Sequence, residues 1–215
     1  MSSTHSSRRN SDLVLKSTVG ELVAERSGHR WCLFINRDGV INRRIVDDYV
    51  RSWEDFEWLP GAKTALKVLR AWAPYLVVVT NQQGVGKQLM DADDVATIHD
   101  HVRGELAGLG VTIDAFQVCP HLAASGCSCR KPKPGLVLDW LDQHPDSDPL
   151  LAAMVGDTLS DLELANNVAA VTGGCAGIEI GGSAGGSACV SADMSFETLR
   201  DFAVAVDRER REQGS

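Results

Sequence analysis

The chain has 215 residues, 44% of them hydrophobic and 23% charged, with a formal net charge of −8 and a pI near 5.2. These values are typical of one α/β-sized domain of a soluble globular protein. They disfavour nucleic acid and anionic membranes as partners, because both would repel an acidic chain. No apolar run is long enough to predict a transmembrane helix. We therefore expect a cytoplasmic monomer whose partner is a small molecule.

The ends of the chain differ from its middle. Residues 1–28 are predicted to be a flexible N-terminal extension, with a short helix somewhere in 12–28, and residues 206–215 a flexible C-terminal tail. The domain itself is expected at 29–205. The first ten residues are rich in Ser, Thr and Arg and lack the apolar segment of a secretory signal. Six cysteines in such a chain do not predict a disulfide framework.

Hydrophobic periodicity predicts strands and helices that alternate along the domain. The first half is expected to hold a strand at 31–36, a turn and small hairpin flap at 37–59, a helix at 60–72, a strand at 75–80, a loop at 81–86 and a helix at 91–108 that Asp91 caps. The second half is expected to hold a strand at 111–118, an irregular loop at 119–133, a helix at 134–143, a strand at 151–156, a helix from 157, a strand at 176–180, a Gly/Ser linker at 181–186 and a helix at 196–211. This alternation predicts a doubly wound parallel sheet.

Polar residues follow three of these strands where each ends. Asn36 and Asp38 follow the first strand, Thr80 and Asn81 the second, and Asp157 the strand at 151–156. Each pair alone is common in turns and at strand ends. In a doubly wound sheet, however, ligands bind beyond the carboxyl ends of the strands. The sequence therefore predicts one crevice shared by these side chains.

The set meets the requirements of phosphoryl transfer, which are a nucleophile, charge neutralisation and a proton donor for the leaving alcohol. A carboxylate at position 36 would attack phosphorus, and Asp38 would protonate the leaving oxygen. The Asp38 carbonyl, the side-chain oxygen of residue 36 and Asp157 form a hard-oxygen set that suits Mg²⁺. Thr80 and Asn81 offer donors to phosphate, and Lys131 offers positive charge.

Four motifs in this order resemble those of the haloacid dehalogenase superfamily of phosphatases. They are Asn36-Arg37-Asp38-Gly39, Thr80-Asn81-Gln82, Arg130-Lys131-Pro132 and Gly156-Asp157-x-x-x-Asp161, and the match covers about residues 31–200. The resemblance implies a Rossmann-like sheet, a Mg²⁺-dependent phosphatase with the roles given above, and a supporting role for Asp161. No segment between the motifs is long enough for a large cap domain, so we expect an open site.

A second metal site is predicted in the loop at 119–133, which we call the zinc loop. Its candidate ligands are Cys119, His121, Cys127 and Cys129. Three thiolates and one imidazole make a closed tetrahedral site of the structural Zn²⁺ type. Arg130 and Lys131 follow directly, so the metal would fix the loop that carries the phosphate-binding cation. Buried free cysteines with a surface histidine, or a redox Cys-x-Cys pair, are the alternatives.

The zinc loop is similar to that of a narrow branch of the superfamily, the D-glycero-D-manno-heptose 1,7-bisphosphate phosphatases and the histidinol-phosphate phosphatases. The run Lys133-Pro134-Gly135-Leu136 favours the heptose type, which acts in nucleotide-heptose biosynthesis, whereas the shortness of the loop is closer to the histidinol type. The resemblance implies a sugar phosphate as substrate, with Arg130 and Gln83 among the residues that contact it.

Position 36 departs from the family pattern, which has Asp there. An amide is isosteric with a carboxylate, so the fold and pocket should persist, but it is neutral and is not a competent nucleophile. Loss of an essential nucleophile commonly costs on the order of 10⁴ to 10⁶ in rate, so we expect a nearly inactive protein. Three explanations stay open: an engineered trap, a natural homologue that binds phosphosugars without hydrolysing them, or slow direct attack by water.

Overall fold

The computed structural model describes residues 17–182 and 191–214. Residues 1–16 of the predicted N-terminal extension, most of the Gly/Ser linker and Cys189 lie outside the described residues. The rest of that extension is not flexible, because residues 19–26 form a helix whose Leu22 and Val23 are buried in the core. The strands are β1 (Cys32–Ile35), β2 (Tyr75–Asn81), β3 (Ala115–Cys119), β4 (Ala153–Gly156), β5 (Ala176–Ile180) and β6 (Met194–Phe196). The helices are α1 (Val19–Arg26), α2 (Ala62–Trp72), α3 (Gln83–Gly86), α4 (Ala92–Ala107), α5 (Gly135–Gln143), α6 (Leu159–Thr172) and α7 (Leu199–Gln213).

All six strands run parallel in one sheet, in the order β3-β2-β1-β4-β5-β6. β1 lies between β2 and β4, at the point where the strand order reverses. Ile35 pairs with Val78 on one side and with Val155 on the other, so the carboxyl ends of the three strands meet at one edge. The predicted doubly wound parallel sheet is confirmed.

A layer of helices covers each face of the sheet. On one face, Leu33 and Ile35 of β1 pack in a cluster with side chains of α1, α2, α4 and α7. On the other face, Cys32 and Phe34 pack with side chains of α5 and α6, and the rings of Phe34 and Trp140 meet edge to face at 5.6 Å. Burial on both faces accounts for the continuous apolar runs of the central strands. It also holds their ends in fixed positions beneath the crevice.

Several boundaries differ from the sequence-based expectation. The strand expected at 111–118 begins only at Ala115. β6 was not expected, because three residues are too few to show a periodicity. The predicted domain boundary at 205 falls inside α7, and the range 206–213 is helical instead of a tail, with Val206 fully buried. The helix expected at 91–108 is confirmed, including its N-cap: Asp91 accepts a hydrogen bond from the backbone of Asp94.

The segment at 37–59, all of which the structure describes, forms no continuous hairpin. Its two backbone bridges are isolated ones, between Asp38 and Asn42 and between Asn42 and Trp58. A second difference lies after β2, where the short helix α3 replaces the expected loop. Neither segment forms a separate cap, so the crevice at the sheet edge stays open. In the described part of the chain, every helix is too short or too polar to cross a membrane.

Candidate active site

The carboxyl ends of β1, β2 and β4 open into one crevice of about 420 Å³. Among the residues that line it are Asn36, Asp38, Thr80, Asn81 and Lys131, all of them predicted site residues. Asp157 lies beside it, on an adjoining cavity of about 380 Å³. The topology therefore brings together the polar residues predicted at three strand ends.

Asn36 is buried and uses both ends of its amide. Its Oδ1 accepts hydrogen bonds from Lys131 Nζ and from the backbone N–H of Arg37, each at 2.8 Å. Its Nδ2 donates to the carbonyl oxygen of Asp38 at 3.1 Å and to Asp157 Oδ1 at 2.9 Å, and lies 3.4 Å from Asp161 Oδ2. The residue at the nucleophile position thus directs a donor toward the acidic residues.

The carboxylate of Asp38 is surrounded by donors. Arg37 Nη2 lies 3.0 and 3.1 Å from its two oxygens, Asn42 Nδ2 donates at 2.9 Å and Gln82 Nε2 at 2.8 Å. Burial alone would raise the pKa of Asp38, but the Arg37 charge and these hydrogen bonds outweigh it and lower that pKa. Asp38 is therefore held ionised, in one orientation.

Arg37 is itself supported from below by a neutral histidine. Arg37 Nη1 lies 3.2 Å from His99 Nε2, and the His99 ring stacks on Phe116 at 4.1 Å. Burial, together with the nearby charges of Arg37 and Arg103, lowers the pKa of His99 to about 3. The neutral ring accepts a hydrogen bond from Arg37, so the guanidinium that holds Asp38 is fixed at both ends.

Asp157 pairs with Arg44, a residue that the sequence reasoning missed. Arg44 Nη2 lies 2.8 Å from Asp157 Oδ2 and also donates to the Asp38 carbonyl at 3.2 Å. Burial raises the pKa of Asp157, and the Arg44 charge offsets part of that rise.

A glycine is required at position 39, next to the Arg44–Asp157 pair. Its φ of 91° favours glycine, and a Cβ there would lie 1.9 Å from Asp157 Oδ2.

Lys131 is buried at the inner end of the crevice. Its Nζ forms an ion pair with Asp161 Oδ1 at 2.6 Å and donates to Asn36 Oδ1 and to the Val79 carbonyl at 2.9 Å. The Asn81 side chain forms two hydrogen bonds with the backbone of Lys131: it accepts from the N–H at 3.0 Å and donates to the carbonyl at 3.2 Å. Asn81 therefore positions Lys131, in addition to lining the crevice.

Two predicted substrate-binding residues are engaged elsewhere. Gln83 accepts a hydrogen bond from the backbone N–H of Ala123 at 2.8 Å and so ties α3 to the zinc loop. Arg130 lies near the His121 carbonyl, 3.4 Å away, and is not among the residues that line the crevice. The neighbour of Gln83, Gln82, bridges Thr80 Oγ1 and Asp38 at 2.8 Å each, and Lys87 lines the crevice. Substrate contacts by Gln83 and Arg130 stay predictions.

The four candidate ligands of the zinc loop converge. Their ligand atoms all lie within 4.8 Å of one another. Cys119 Sγ is 3.3 Å from Cys129 Sγ and 3.7 Å from both Cys127 Sγ and His121 Nδ1. Tetrahedral zinc, with bonds of roughly 2.0 to 2.3 Å, separates its ligands by about 3.5 Å. The spacing and the donor set fit a zinc ion held by these four residues.

Magnesium fits the predicted carboxylate set less well. The Asp38 carbonyl and the Asp157 carboxylate are hard oxygens of the kind that Mg²⁺ prefers. The third predicted ligand is residue 36, and Asn36 turns its amide nitrogen toward these two oxygens. A nitrogen that carries two protons cannot coordinate a cation, so the observed arrangement does not form the expected three-oxygen site.

No protein-family model matches the chain. The chain is 64% identical over 193 residues to the D-glycero-alpha-D-manno-heptose-1,7-bisphosphate 7-phosphatase of Mycobacterium tuberculosis, a match that covers 90% of this chain and 100% of the relative. This chain belongs to the heptose-bisphosphate phosphatase family of the haloacid dehalogenase superfamily. The protein is therefore a phosphatase by family, and the resemblance inferred from its motifs is confirmed.

More distant relatives are also heptose-bisphosphate phosphatases. The D-glycero-beta-D-manno-heptose-1,7-bisphosphate 7-phosphatase of Rhodopseudomonas palustris is 37% identical over 139 residues, which is 61% of this chain and 76% of that relative. The crystal structure of D,D-heptose 1,7-bisphosphate phosphatase from B. bronchiseptica, complexed with magnesium and phosphate, superposes with a TM-score of 0.71 at 32% identity, over 86% of this chain and 99% of that one. This chain thus shares its fold with a solved member of the family.

Proposed function

We propose that this chain recognises D-glycero-α-D-manno-heptose 1,7-bisphosphate as a 7-phosphatase site whose turnover Asn36 impairs. The α anomer is favoured because the Mycobacterium tuberculosis relative, which carries that name, aligns along its entire length at 64% identity. The β-named relatives align at 37% or less. A cytoplasmic location and a monomeric state remain predictions alongside this proposal.

The crevice supports a phosphate at its inner end. Lys131 supplies a positive charge there, and Thr80 lines the wall beside it. Lys87, which is exposed, lines the same crevice, with its Nζ 5.3 Å from the centre of the Tyr49 ring. We infer that Lys87 faces the second phosphate of the substrate.

Impairment follows from the chemistry of an amide. Hydrolysis requires that an oxygen nucleophile form a bond to phosphorus while the bond to the sugar oxygen breaks and that oxygen takes up a proton. An Asp at position 36 would supply the nucleophile. The Asn36 nitrogen has no free lone pair, and its oxygen is occupied by Lys131 and by the Arg37 N–H.

Direct attack by water offers little compensation. Asp38 is the base that the motif places beside position 36, and its carboxylate already accepts hydrogen bonds from Arg37, Asn42 and Gln82. Its lowered pKa makes it a weak proton acceptor. We therefore expect turnover by this route to be several decades below that of an enzyme with a carboxylate nucleophile.

The zinc loop contributes structure in this proposal. Zinc held by the Cys/His cluster (Cys119, His121, Cys127 and Cys129) would contribute folding free energy. A closed site of this kind has no open position for substrate, so its role is structural. Its effect on function would pass through Lys131, which follows the last ligand by two residues.

The test is phosphate release by the chain and by Asn36→Asp. The substrates are the α and β heptose 1,7-bisphosphates and histidinol phosphate. We expect Asn36→Asp to raise turnover by a factor on the order of 10⁴ or more on the α heptose, with smaller values on the β anomer and on histidinol phosphate. Asn166→Asp, the same change on the exposed face of α6, is the matched control and should alter nothing. Equal inactivity of both proteins on all three substrates would contradict the proposal.

A phosphosugar-binding protein without activity is the second candidate. It is favoured by one observation: every polar atom of the Asn36 side chain is hydrogen-bonded, so the site is well ordered with an amide at its centre. Under this alternative, the heptose bisphosphate would bind both proteins equally tightly in a calorimetric titration, and Asn36→Asp would remain inert.

A further inference from the structure

Two donor groups converge on the same two oxygens in the crevice. The carbonyl oxygen of Asp38 accepts from Asn36 Nδ2 at 3.1 Å and from Arg44 Nη2 at 3.2 Å. Asp157 Oδ1 accepts from the same two atoms, at 2.9 and 3.0 Å. These are the two oxygens that the sequence assigns to a divalent cation.

The direction of the Asn36 amide is fixed by its neighbours. Lys131 Nζ and the Arg37 N–H can only donate, so they require the oxygen of the amide on their side. The Asp38 carbonyl can only accept, so it requires the nitrogen on the other side. If the amide flipped to offer its oxygen to a cation, its NH₂ group would face two donors, and both of those hydrogen bonds would be lost.

The charges of the site also balance without an ion. Three carboxylates, Asp38, Asp157 and Asp161, are each paired with one cation, respectively Arg37, Arg44 and Lys131. With Asp at position 36 there would be four carboxylates for three cations. That excess of negative charge, with a second carboxylate oxygen aimed at the Asp38 carbonyl, would demand a cation at this point.

We propose that Asn36 and Arg44 together take the place of a divalent cation, so that this site is complete without magnesium. The amide substitution then changes two properties at once, the nucleophile and the metal requirement. Arg44 contributes a positive charge that competes with a metal for Asp157. The inference deepens the proposed function, because it concerns the same site, but it does not depend on which substrate the site accepts.

The experiment is a calorimetric titration of MgCl₂ into the zinc-loaded full chain, with thermal unfolding followed in parallel. Metal-depleted buffer is used without a chelator, so that the zinc loop is undisturbed. We expect the chain to show no saturable Mg²⁺ binding at millimolar concentrations and no change in Tm. Asn36→Asp should bind Mg²⁺ at least about 100-fold more tightly and gain stability from it.

Arg44 is tested in the Asn36→Asp background. Arg44→Gln should tighten Mg²⁺ binding further, because it removes the competing charge. Arg43→Gln is the matched control, since Arg43 is the adjacent residue and pairs with exposed Glu57 instead of the site. Arg43→Gln should leave the Mg²⁺ affinity unchanged, and equal effects of the two substitutions would overturn the role of Arg44.

Saturable Mg²⁺ binding by the unaltered chain, as tight as that of Asn36→Asp, would overturn the inference as a whole, and this measurement needs no variant that might misfold. The two proposals fail separately. If Asn36→Asp binds Mg²⁺ tightly but hydrolyses none of the substrates, the metal inference stands and the phosphatase proposal falls. If Asn36→Asp hydrolyses the heptose while the unaltered chain binds Mg²⁺ equally well, the reverse holds.

Discussion

Two clusters of potential metal ligands, one on the zinc loop and one in the crevice, differ in what faces them. In the Cys/His cluster, Cys119, His121, Cys127 and Cys129 face one another. In the carboxylate cluster, which consists of Asp38, Asp157 and Asp161, every member faces a cation of the same chain. The first cluster would concentrate lone pairs and negative charge once its thiols ionise, whereas the second is already neutralised.

Under the proposal made above, the difference implies that acidic residues alone do not define a metal site. What matters is whether the protein supplies its own donors for the same lone pairs. In the zinc loop, the nearby amine of Lys133 is used on the backbone, where it donates to the carbonyls of Gly126 and Cys127. In the crevice, Asn36 and Arg44 donate to the ligand oxygens themselves. We therefore expect the two clusters to respond oppositely to metals.

The largest effect is expected from the zinc loop. Cys129→Ser should abolish zinc binding and lower the free energy of unfolding by several kcal/mol, because a structural metal contributes directly to folding. Metal content by mass spectrometry and urea denaturation measure the two effects. Ser128→Ala, between two of the ligands, is the control and should keep one zinc per chain. If Cys129→Ser keeps its stability, the cluster is a set of free cysteines.

In the crevice, the largest loss of stability is expected when Lys131, the cation paired with Asp161, is replaced. Lys131→Met would leave the fully buried Asp161 without its cation, at a cost of about 3 to 5 kcal/mol. Lys133→Met, in the exposed neighbour, should cost about 1 kcal/mol, because it loses only hydrogen bonds to carbonyls. Urea denaturation of both variants makes the comparison. Similar losses in the two would show that burial of the pair is not what stabilises the crevice.

The buried His99, which contacts Arg37 beneath Asp38, predicts that the stability of the fold depends on pH. The pKa of His99 is lowered by burial to about 3 in the folded chain, so the unfolded chain binds one more proton between that pH and about 6.5. Stability should therefore fall as the pH falls through this window, by at most about 1.4 kcal/mol per pH unit from this group. Unfolding measured between about pH 5 and 6.5, above most carboxylate titrations, isolates the histidine.

His99→Gln should flatten that slope, while His101→Gln, in the exposed histidine two residues on, should not. A slope that survives in His99→Gln would mean that His99 is not held neutral beneath Arg37.

The smallest effect is expected outside both clusters. Arg43 and Glu57 form an ion pair at 2.7 Å with both side chains more than half exposed. Arg43→Gln should change the free energy of unfolding by less than about 1 kcal/mol, because water screens such pairs. A larger loss in urea denaturation would show that the segment at 37–59 depends on this pair for its position over the crevice.

The sequence was sufficient for the residues whose positions follow from chain order. Alternating apolar runs predict the parallel sheet, and the carboxyl ends of parallel strands meet by geometry, so Asn36, Thr80 and Asp157 could be placed together without coordinates. The Cys/His cluster could be predicted for a similar reason, since all its ligands lie within eleven consecutive residues. The sequence also shows that position 36 is Asn where the motif has Asp.

Only the tertiary structure decided what the side chains in the crevice face. Arg44 and His99 carry no motif and come from a segment without regular structure and from the face of α4, respectively, so their contacts depend on how those elements pack. Of the substrate-binding residues that the sequence predicts, Thr80, Asn81 and Lys131 line the crevice, whereas Gln83 and Arg130 do not. Lys87, which carries no motif, lines it as well. Local patterns determine strands and their order because they repeat over many residues. The direction of a single amide is determined by donors and acceptors that arrive from distant parts of the chain.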